Sequence, residues 1–293
     1  MSEKEIDIEK KGEQYQMYLT VTKIFRHVVC VFLCILSLIP FWIMIVNATR
    51  ASVDIQNKFT LIPSVHLFSN FRKMLFQSGS VSIFTYMLNS LIISVTATVL
   101  TVYFSTMTAY GIFVYNFRLN KFAWSFIMAI MMIPMQVTAI GFYKFMYQIG
   151  LGNNYIPLIV PAIAAPTTVF FMRQYMQGAL PLAIVDAARI DGSGEFYTFN
   201  HIVLPILKPA IATQAIFSFV SSWNNLFLPL ILLTRQEKYT MPIMVSLLKG
   251  DIYKTEYGAI YMGLTLTVLP LFVVYFLLSK YIIAGVALGG VKG

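Results

Sequence analysis

The residues best suited to chemistry with another protein lie between two hydrophobic runs, from Pro181 to Pro205 (the 181–205 loop). Asp186 and Arg189 are three residues apart, a spacing that places both charges on one face of a helix. A carboxylate and a guanidinium in that position can form charge-assisted hydrogen bonds with a partner. Ala187 and Ala188 lie between them, and such small side chains allow the backbone of a partner to approach closely.

The pattern within the 181–205 loop predicts two short helices joined by a turn. Pro181 suits the first turn of a helix, because its missing N–H is not needed there. Gly192 and Gly194 then end that helix, since glycine adopts backbone conformations that other residues avoid. A second short helical piece is predicted from Glu195 to His201. The alternative is an amphipathic helix that rests on the membrane surface.

No pattern in the sequence predicts a catalytic or metal site. The three histidines, His27, His66 and His201, are scattered, and neither HExxH nor Gly-x-Ser-x-Gly occurs. The phosphate-binding pattern GxxxxGK[ST] is also absent. Cys30 and Cys34 have no further ligands at a matching spacing. The sequence therefore predicts a protein that is not an enzyme and that has no cofactor or metal of its own.

A second group of polar residues lies inside hydrophobic sequence: Trp223, Asn224 and Asn225. Buried amides require hydrogen-bond partners, which could be a neighbouring helix or the hydroxyl groups of a sugar. Asn89 and Gln136 are two further amides in apolar surroundings. These five residues are candidate contacts along a substrate path, and hydrogen bonding between helices is the alternative.

Composition shows what kind of element must position these residues. Of the 293 residues, 58% are hydrophobic and only 11% are charged, whereas soluble domains carry about 25% charged residues. The chain is therefore predicted to be an integral membrane protein in contact with the lipid bilayer. Its net charge of +9 is attributed to basic residues at the membrane borders. Nucleic-acid binding is not predicted, because no basic patch with interleaved aromatic residues occurs.

Uncharged apolar runs of about 20 residues predict an all-α polytopic membrane protein with six transmembrane helices. The predicted spans are 27–46, 87–109, 122–143, 155–171, 210–233 and 258–279. They define an N-terminal segment 1–26, a membrane domain 27–283 and a tail 284–293, with the 181–205 loop between spans four and five. No Asp or Glu lies inside any span, which argues against a carrier driven by protons or sodium.

Six spans place both termini and the 181–205 loop on the same side of the membrane. More than half of the 21 Lys and Arg residues fall on that side, and such an excess marks the cytoplasmic side. We therefore predict cytoplasmic termini. On the opposite side, the polar segments 47–84 and 235–257 are candidate docking surfaces for a protein, with ordinary solvated loops as the alternative.

The 181–205 loop resembles the EAA motif of bacterial ABC-importer permeases. That motif reads Glu-Ala-Ala, three residues, Gly, nine residues and Ile-x-Leu-Pro. This chain has Asp186-Ala187-Ala188, Gly192 and Ile202-x-Leu204-Pro205 at the same spacings. Aspartate in place of glutamate at position 186 is the one departure, and it shortens the reach of the carboxylate by one methylene. Segments 170–176, 188–192, 223–230 and 285–293 are similar to the carbohydrate branch of the family, the maltose/multiple-sugar type.

This resemblance implies a permease subunit of an ATP-driven sugar importer, with an oligosaccharide expected, in the bacterial cytoplasmic membrane. It implies three protein partners: a homologous second permease, two copies of a cytoplasmic ATPase that binds ATP and Mg, and an extracytoplasmic sugar-binding protein. The 181–205 loop would be the cytoplasmic coupling loop, and its contacts with the ATPase would be Asp186, Ala187, Ala188, Arg189, Asp191 and Gly192. The alternatives are a permease for a non-sugar solute and a membrane receptor or assembly protein.

Overall fold

The computed structural model describes the backbone of residues 3–77, 81–248 and 255–289. Side chains are described for residues 15–76, 81–134, 137–248 and 255–281. The described backbone is helical and contains no strand, which confirms the all-α prediction for that part of the chain. Contacts divide the chain into two units, residues 1–71 with 257–265 and residues 72–256 with 266–293.

Fifteen α-helices of very different lengths follow one another in the described residues. They are α1 Glu3–Ala48, α2 Ser52–Asn57, α3 Leu67–Gln77, α4 Ile83–Val114, α5 Asn120–Met131, α6 Met135–Gln148, α7 Ile156–Ile159, α8 Pro166–Ala179, α9 Leu182–Ile190, α10 Glu195–Tyr197, α11 Leu204–Ile206, α12 Lys208–Trp223, α13 Phe227–Leu232, α14 Met241–Leu247 and α15 Tyr257–Gly289. Turns of 3₁₀-helix cover Val160–Ile163 and Gln236–Lys238, and a π-helical turn covers Thr198–Val203.

Four segments of the described chain are long and apolar enough to cross a membrane. They are Tyr15–Ala48, Ile83–Val114, Ile156–Ala179 and Tyr257–Tyr281. A pair of helices, Glu195–Ile206 and Lys208–Trp223, passes the same test when taken together, with a bend of 83° between its members. The structure therefore supports a polytopic membrane protein with four or five such segments, and the count of six stays a prediction.

The third predicted span, 122–143, is two helices in the structure. Pro134 lies between α5 and α6 with an extended backbone, at ψ 130°. Proline cannot donate the hydrogen bond that would continue α5, and it also disfavours helical geometry at the residue before it. The two helices have 12 and 14 residues, or roughly 18 and 21 Å at 1.5 Å per residue. Neither is long enough to cross a hydrocarbon core of about 30 Å by itself.

The fifth predicted span, 210–233, also contains a break, between α12 and α13. Asn225 lies in this break, and its side-chain oxygen accepts a hydrogen bond of 3.3 Å from the backbone N–H of Leu228. An amide that accepts from the N–H three residues further on satisfies a free donor at the start of a helix. The polar pair Asn224 and Asn225 therefore coincides with the point where one helix ends and the next begins.

Helix α4 is the central element of the second unit, where it packs against α8 and α12. Its buried residues include five small hydroxyl side chains: Ser90, Ser94, Thr101, Ser105 and Thr106. Small polar residues allow membrane helices to approach closely and to form hydrogen bonds with one another.

The first unit contains a buried polar turn after α1. The Asn70 side chain donates hydrogen bonds of 2.8 Å to the carbonyl oxygens of Ala48 and Arg50. The Arg50 guanidinium in turn donates to the side-chain oxygen of Asn47 at 3.0 Å. A Cβ atom built on Gly258 would lie 2.5 Å from the Asn70 amide. Residue 258 must therefore be glycine for Asn70 to keep both hydrogen bonds.

We expect Gly258→Ala to lower the free energy of unfolding by about 1–3 kcal/mol, as overpacking does in well-packed interiors. The Asn70 side chain cannot move away from the added methyl group without breaking its hydrogen bonds to the buried carbonyl groups of Ala48 and Arg50. Thermal unfolding of the detergent-solubilised protein measures the effect. Gly178→Ala is the control, because a Cβ atom there meets nothing within 4 Å. Equal melting temperatures for the two variants would contradict the expected clash.

Candidate functional site

A cleft of about 1030 Å³ lies in the second unit, lined by residues of α4 to α8, of the 3₁₀ turn between α7 and α8, and of α12 and α13. None of the described residues that line it is charged. Its polar lining consists of hydroxyl and amide groups, and aromatic rings supply much of the remainder: Phe142, Phe170, Phe171, Phe217 and Phe227. The volume is near the upper end of the roughly 300–1000 Å³ that is usual for ligand sites. Such a cleft can accommodate an uncharged solute with both polar and apolar faces.

Of the predicted path residues, the structure places Asn225 on this cleft. Trp223 is only 1% exposed, and its indole N–H donates to the carbonyl oxygen of Thr267 at 2.9 Å. Asn89 is buried and donates to the carbonyl oxygens of Glu237 and Tyr239, at 2.8 and 3.0 Å. Both side chains therefore connect elements of the fold.

Of the other two predicted path residues, the structure describes the side chain of Asn224 but not that of Gln136. Asn224 is exposed at the end of α12 and is not among the lining residues. Gln136 belongs to α6, and its side chain lies outside the described residues. Among the four predicted path residues whose side chains are described, Asn225 alone lies on the cleft.

A polar stripe along α12 lines the cleft, and none of its residues on that helix was among the predicted path residues. The stripe consists of Gln214, Ser218, Ser221 and Ser222 and continues to Asn225. Counted from Gln214, the other members follow after four, seven, eight and eleven residues. This is the spacing of residues on a single helix face. A search of the predicted fifth span for polar residues at helical spacing would have found it.

In the 181–205 loop, α9 ends in a tight turn. Gly192 has φ +80°, in the left-handed region that residues with a Cβ atom rarely adopt. The backbone N–H of Ser193 donates to the carbonyl oxygen of Ala188 at 2.9 Å, and that of Gly192 donates to Arg189 at 3.0 Å. These bonds close the helix end in the manner typical of a glycine C-cap. Asp191 is the exposed residue at this end of α9.

Ion pairs and hydrogen bonds join the two helical pieces of the loop. Arg189 donates from Nε to Glu195 Oε1 at 2.7 Å and from a terminal nitrogen to Asp186 Oδ1 at 3.2 Å. The hydroxyl of Tyr115, which follows α4, donates to Glu195 Oε2 at 2.5 Å. The Arg189 guanidinium lies 5.4 Å from the centre of the Tyr115 ring. We call these four residues the clasp; the sequence predictions included Asp186 and Arg189 but not Tyr115 or Glu195.

The clasp changes the pKa values of Glu195, Arg189 and Tyr115. The hydrogen bond from Arg189 lowers the pKa of Glu195, and the bond from Tyr115 adds to that effect. The pKa of Arg189 is raised, chiefly by its hydrogen bond to Glu195. Burial raises the pKa of Tyr115, as does its hydrogen bond to Glu195. At neutral pH the clasp therefore holds an ionised carboxylate, a guanidinium and a neutral phenol.

The loop has an inner and an outer face. Val185, Phe199 and Val203 are buried in a hydrophobic cluster with residues of α4 and α8. Ala188 is buried as well, so it lies on the inner face. Large apolar side chains are nevertheless exposed on the outer face: Ile190 at 86%, Phe196 at 70% and Tyr197 at 58%. Asp186 and Ala187 are also exposed. The outer face can therefore bind a partner through apolar contacts bordered by polar groups.

Comparisons with known proteins agree with these features. The family model "Binding-protein-dependent transport system inner membrane component" matches residues 102–287. The arabinooligosaccharides transport system permease protein AraQ of Bacillus subtilis (strain 168) is 35% identical over 264 residues, which is 89% of this chain and 92% of the relative. The lactose transport system permease protein LacG of Rhizobium radiobacter is 31% identical over 258 residues, covering 88% and 92%.

A solved structure shares the fold. It is the crystal structure of a bacterial ABC transporter involved in the import of the acidic polysaccharide alginate, with a TM-score of 0.71. Sequence identity is 21%, and the match covers 88% of this chain and 96% of the other. The match between the family model and residues 102–287 includes the 181–205 loop, its clasp and every described cleft residue except Ala97 and Thr101. The chain therefore belongs to the family of binding-protein-dependent transport system inner membrane components, among its carbohydrate ABC importer permeases.

Proposed function

We propose that this chain is the permease subunit of an ATP-driven importer for an oligosaccharide. The named substrates of its relatives support this proposal, since they include arabinooligosaccharides, lactose and the set melibiose, raffinose and stachyose. The cleft forms this chain's half of the translocation path, and a homologous second permease supplies the other half. An extracytoplasmic sugar-binding protein delivers the substrate.

In this proposal the 181–205 loop is the coupling loop and both termini are cytoplasmic. Two copies of an ATPase bind ATP and Mg, one copy on this loop and one on the corresponding loop of the second permease. The observation that carries the proposal is the construction of the loop. A partner can grip the exposed apolar residues Ile190, Phe196 and Tyr197 while the inner face stays fixed to the core through Val185 and Phe199.

Such a loop transmits movement because it is stiff. The clasp and the glycine turn fix the two helical pieces relative to each other, and Tyr115 connects them directly to the end of α4. Closure of the ATPase pair on ATP would therefore displace the loop and α4 together. The free energy comes from the different affinities of the ATPase for the two states of the permease.

Co-expression with the neighbouring transport genes tests the proposal. Purification of this chain is expected to recover a stoichiometric ATPase and a second permease, and the assembled importer is expected to take up an oligosaccharide with ATP hydrolysis. An assembled importer that transports only a non-sugar solute would overturn the substrate class. Recovery of neither partner would favour a receptor or assembly protein.

Ile190→Glu is expected to reduce the amount of ATPase that co-purifies by at least about tenfold, as loss of a central apolar anchor does in other interfaces. Quantitative co-purification in detergent measures this. Leu119→Glu is the matched control, because Leu119 is also apolar and 62% exposed but lies in the turn between α4 and α5. If both variants kept their ATPase, the outer face would instead be a surface that rests on lipid.

Gly192→Val is expected to lower sugar uptake by roughly tenfold while the protein still inserts into the membrane, since a β-branched residue at φ +80° is strained by about 1–3 kcal/mol. A Cβ atom at this position meets nothing within 4 Å, so the strain arises from the backbone alone. Gly194→Ala is the control, because Gly194 has φ −69° and equally open surroundings. Unchanged uptake per assembled complex would refute the role of the loop as a lever.

Glu195→Gln is expected to weaken ATPase binding or coupling by less than about fivefold, the usual range for exposed ion pairs. The folded-state pKa of Glu195 is lowered. The stability that its carboxylate adds to the folded loop is therefore complete above the ordinary carboxyl pKa, and it is lost only as pH falls through the lowered pKa. Wild-type coupling should therefore be constant between about pH 6 and pH 8. Glu256→Gln is the control, because it removes the Lys73–Glu256 ion pair outside the loop. Equal effects of the two changes would show that the clasp has no special role.

A further inference from the structure

The polar stripe on α12 places hydrogen-bonding side chains on the wall of the cleft. Gln214 is only 7% exposed, and it lines the cleft. Thr168 of α8 is also buried, and it lines the same cleft. A buried amide or hydroxyl without a partner costs free energy. Such groups are tolerated where water or a ligand completes their hydrogen bonds.

The stripe ends beside a second, smaller cavity. This cavity has a volume of about 20 Å³, and Ser222 and Asn225 line both it and the cleft. The hydroxyl oxygens of Ser94 and Thr240, which also line it, are buried without a hydrogen-bond partner in the described structure. A polar cavity of this size has room for about one water molecule. Polar groups therefore continue from Gln214 to the end of the stripe farthest from the 181–205 loop, where the hydroxyls of Ser94 and Thr240 are unpaired among the described residues.

The chemistry of the stripe is that of a neutral hydrogen-bonding surface. Each serine hydroxyl both donates and accepts, and the glutamine and asparagine amides do the same through separate atoms. Gln214 and Ser222 lie roughly 12 Å apart along the helix, at 1.5 Å per residue. Phe217 lies within the stripe and Phe170 lines the cleft, so both can contact the apolar faces of a solute. No charged group is present among the described lining residues to neutralise a carboxylate.

On the basis of the proposed function, we infer that the α12 stripe is a binding subsite for an uncharged saccharide and that it selects against acidic ones. Saccharide hydroxyls can form hydrogen bonds with the amide and hydroxyl groups of the stripe at many positions along α12. A uronic acid would instead bring its carboxylate against the described wall of the cleft, which offers no counter-charge, and that is costly in a partly dehydrated site. The shared fold leaves the charge of the substrate open, because the matched crystal structure belongs to an importer of an acidic polysaccharide.

The test uses the assembled importer with its second permease, ATPase and binding protein in proteoliposomes. Arabinotriose and raffinose are the neutral probes, and trigalacturonate is the acidic probe. Uptake and ATP hydrolysis are measured together. Gln214→Leu and Ser218→Ala should each lower neutral-sugar uptake per assembled complex about two- to tenfold, the value of one hydrogen bond, with more ATP hydrolysed per sugar. Ser221→Ala should also lower neutral-sugar uptake. Ser221 is exposed in the cleft, so its replacement is not expected to disturb folding.

Thr213→Val is the matched control on the same helix. Its hydroxyl donates to the carbonyl oxygen of Pro209 at 2.9 Å, and Thr213 does not line the cleft. If the wild type imports a neutral sugar and the stripe variants behave like Thr213→Val, the subsite is refuted and the proposed function stands. Preferential import of trigalacturonate would refute the neutral selectivity alone. Loss of the second permease from the stripe variants would show a helix contact instead, and import of no saccharide would refute the proposed function itself.

Discussion

The second unit depends on hydrogen bonds that α4 donates to a broken stretch of backbone. Residues 156–165 contain Pro157 and Pro161, and Pro166 follows, so the helix is interrupted between α7 and α8. Within a membrane, an irregular backbone is tolerated only where other groups satisfy its carbonyls. Thr101 donates to the carbonyl oxygen of Ala162 at 2.8 Å, and Ser105 reaches that of Ala165 at 3.5 Å. Because this broken stretch forms one wall of the cleft, these small hydroxyls make the cleft possible.

The same helix connects the cleft to regions at both of its ends. At one end, Ser90 accepts a hydrogen bond of 2.8 Å from the backbone N–H of Met241, close to the contacts made by Asn89. At the other end, the hydroxyl of Tyr103 donates to Asn200 at 3.2 Å and that of Tyr115 donates to Glu195. Since α4 is continuous from Ile83 to Val114, a displacement of the 181–205 loop cannot be absorbed by a break in this helix. Helix α4 therefore connects the 181–205 loop to the cleft without an intervening break.

The sequence predicted those features that depend on local chemistry. The glycine turn and the short α9 helix follow from residue types over a few positions, and the resemblance of the loop follows from spacing alone. What it could not predict depends on long-range packing. Whether Pro134 bends a helix or ends it is decided by the neighbours that satisfy the freed backbone groups, and Asn89 found its partners about 150 residues away in the chain. Ala188 is an inward-facing residue for the same reason, because the direction of α9 is fixed by where Val185 packs.

The charged residues of the loop are paired with one another in the structure. Asp186 and Arg189 resemble a pair presented to a partner, but Arg189 is occupied by Glu195 and Asp186 within the loop itself. A guanidinium already bonded to two carboxylates has little free energy to gain from a third, and exposed pairs contribute modestly in any case. The most exposed large side chain of the outer face is instead Ile190. For the proposed coupling loop we therefore expect aspartate in place of glutamate at position 186 to matter less for ATPase binding than the exposed apolar residues of the outer face.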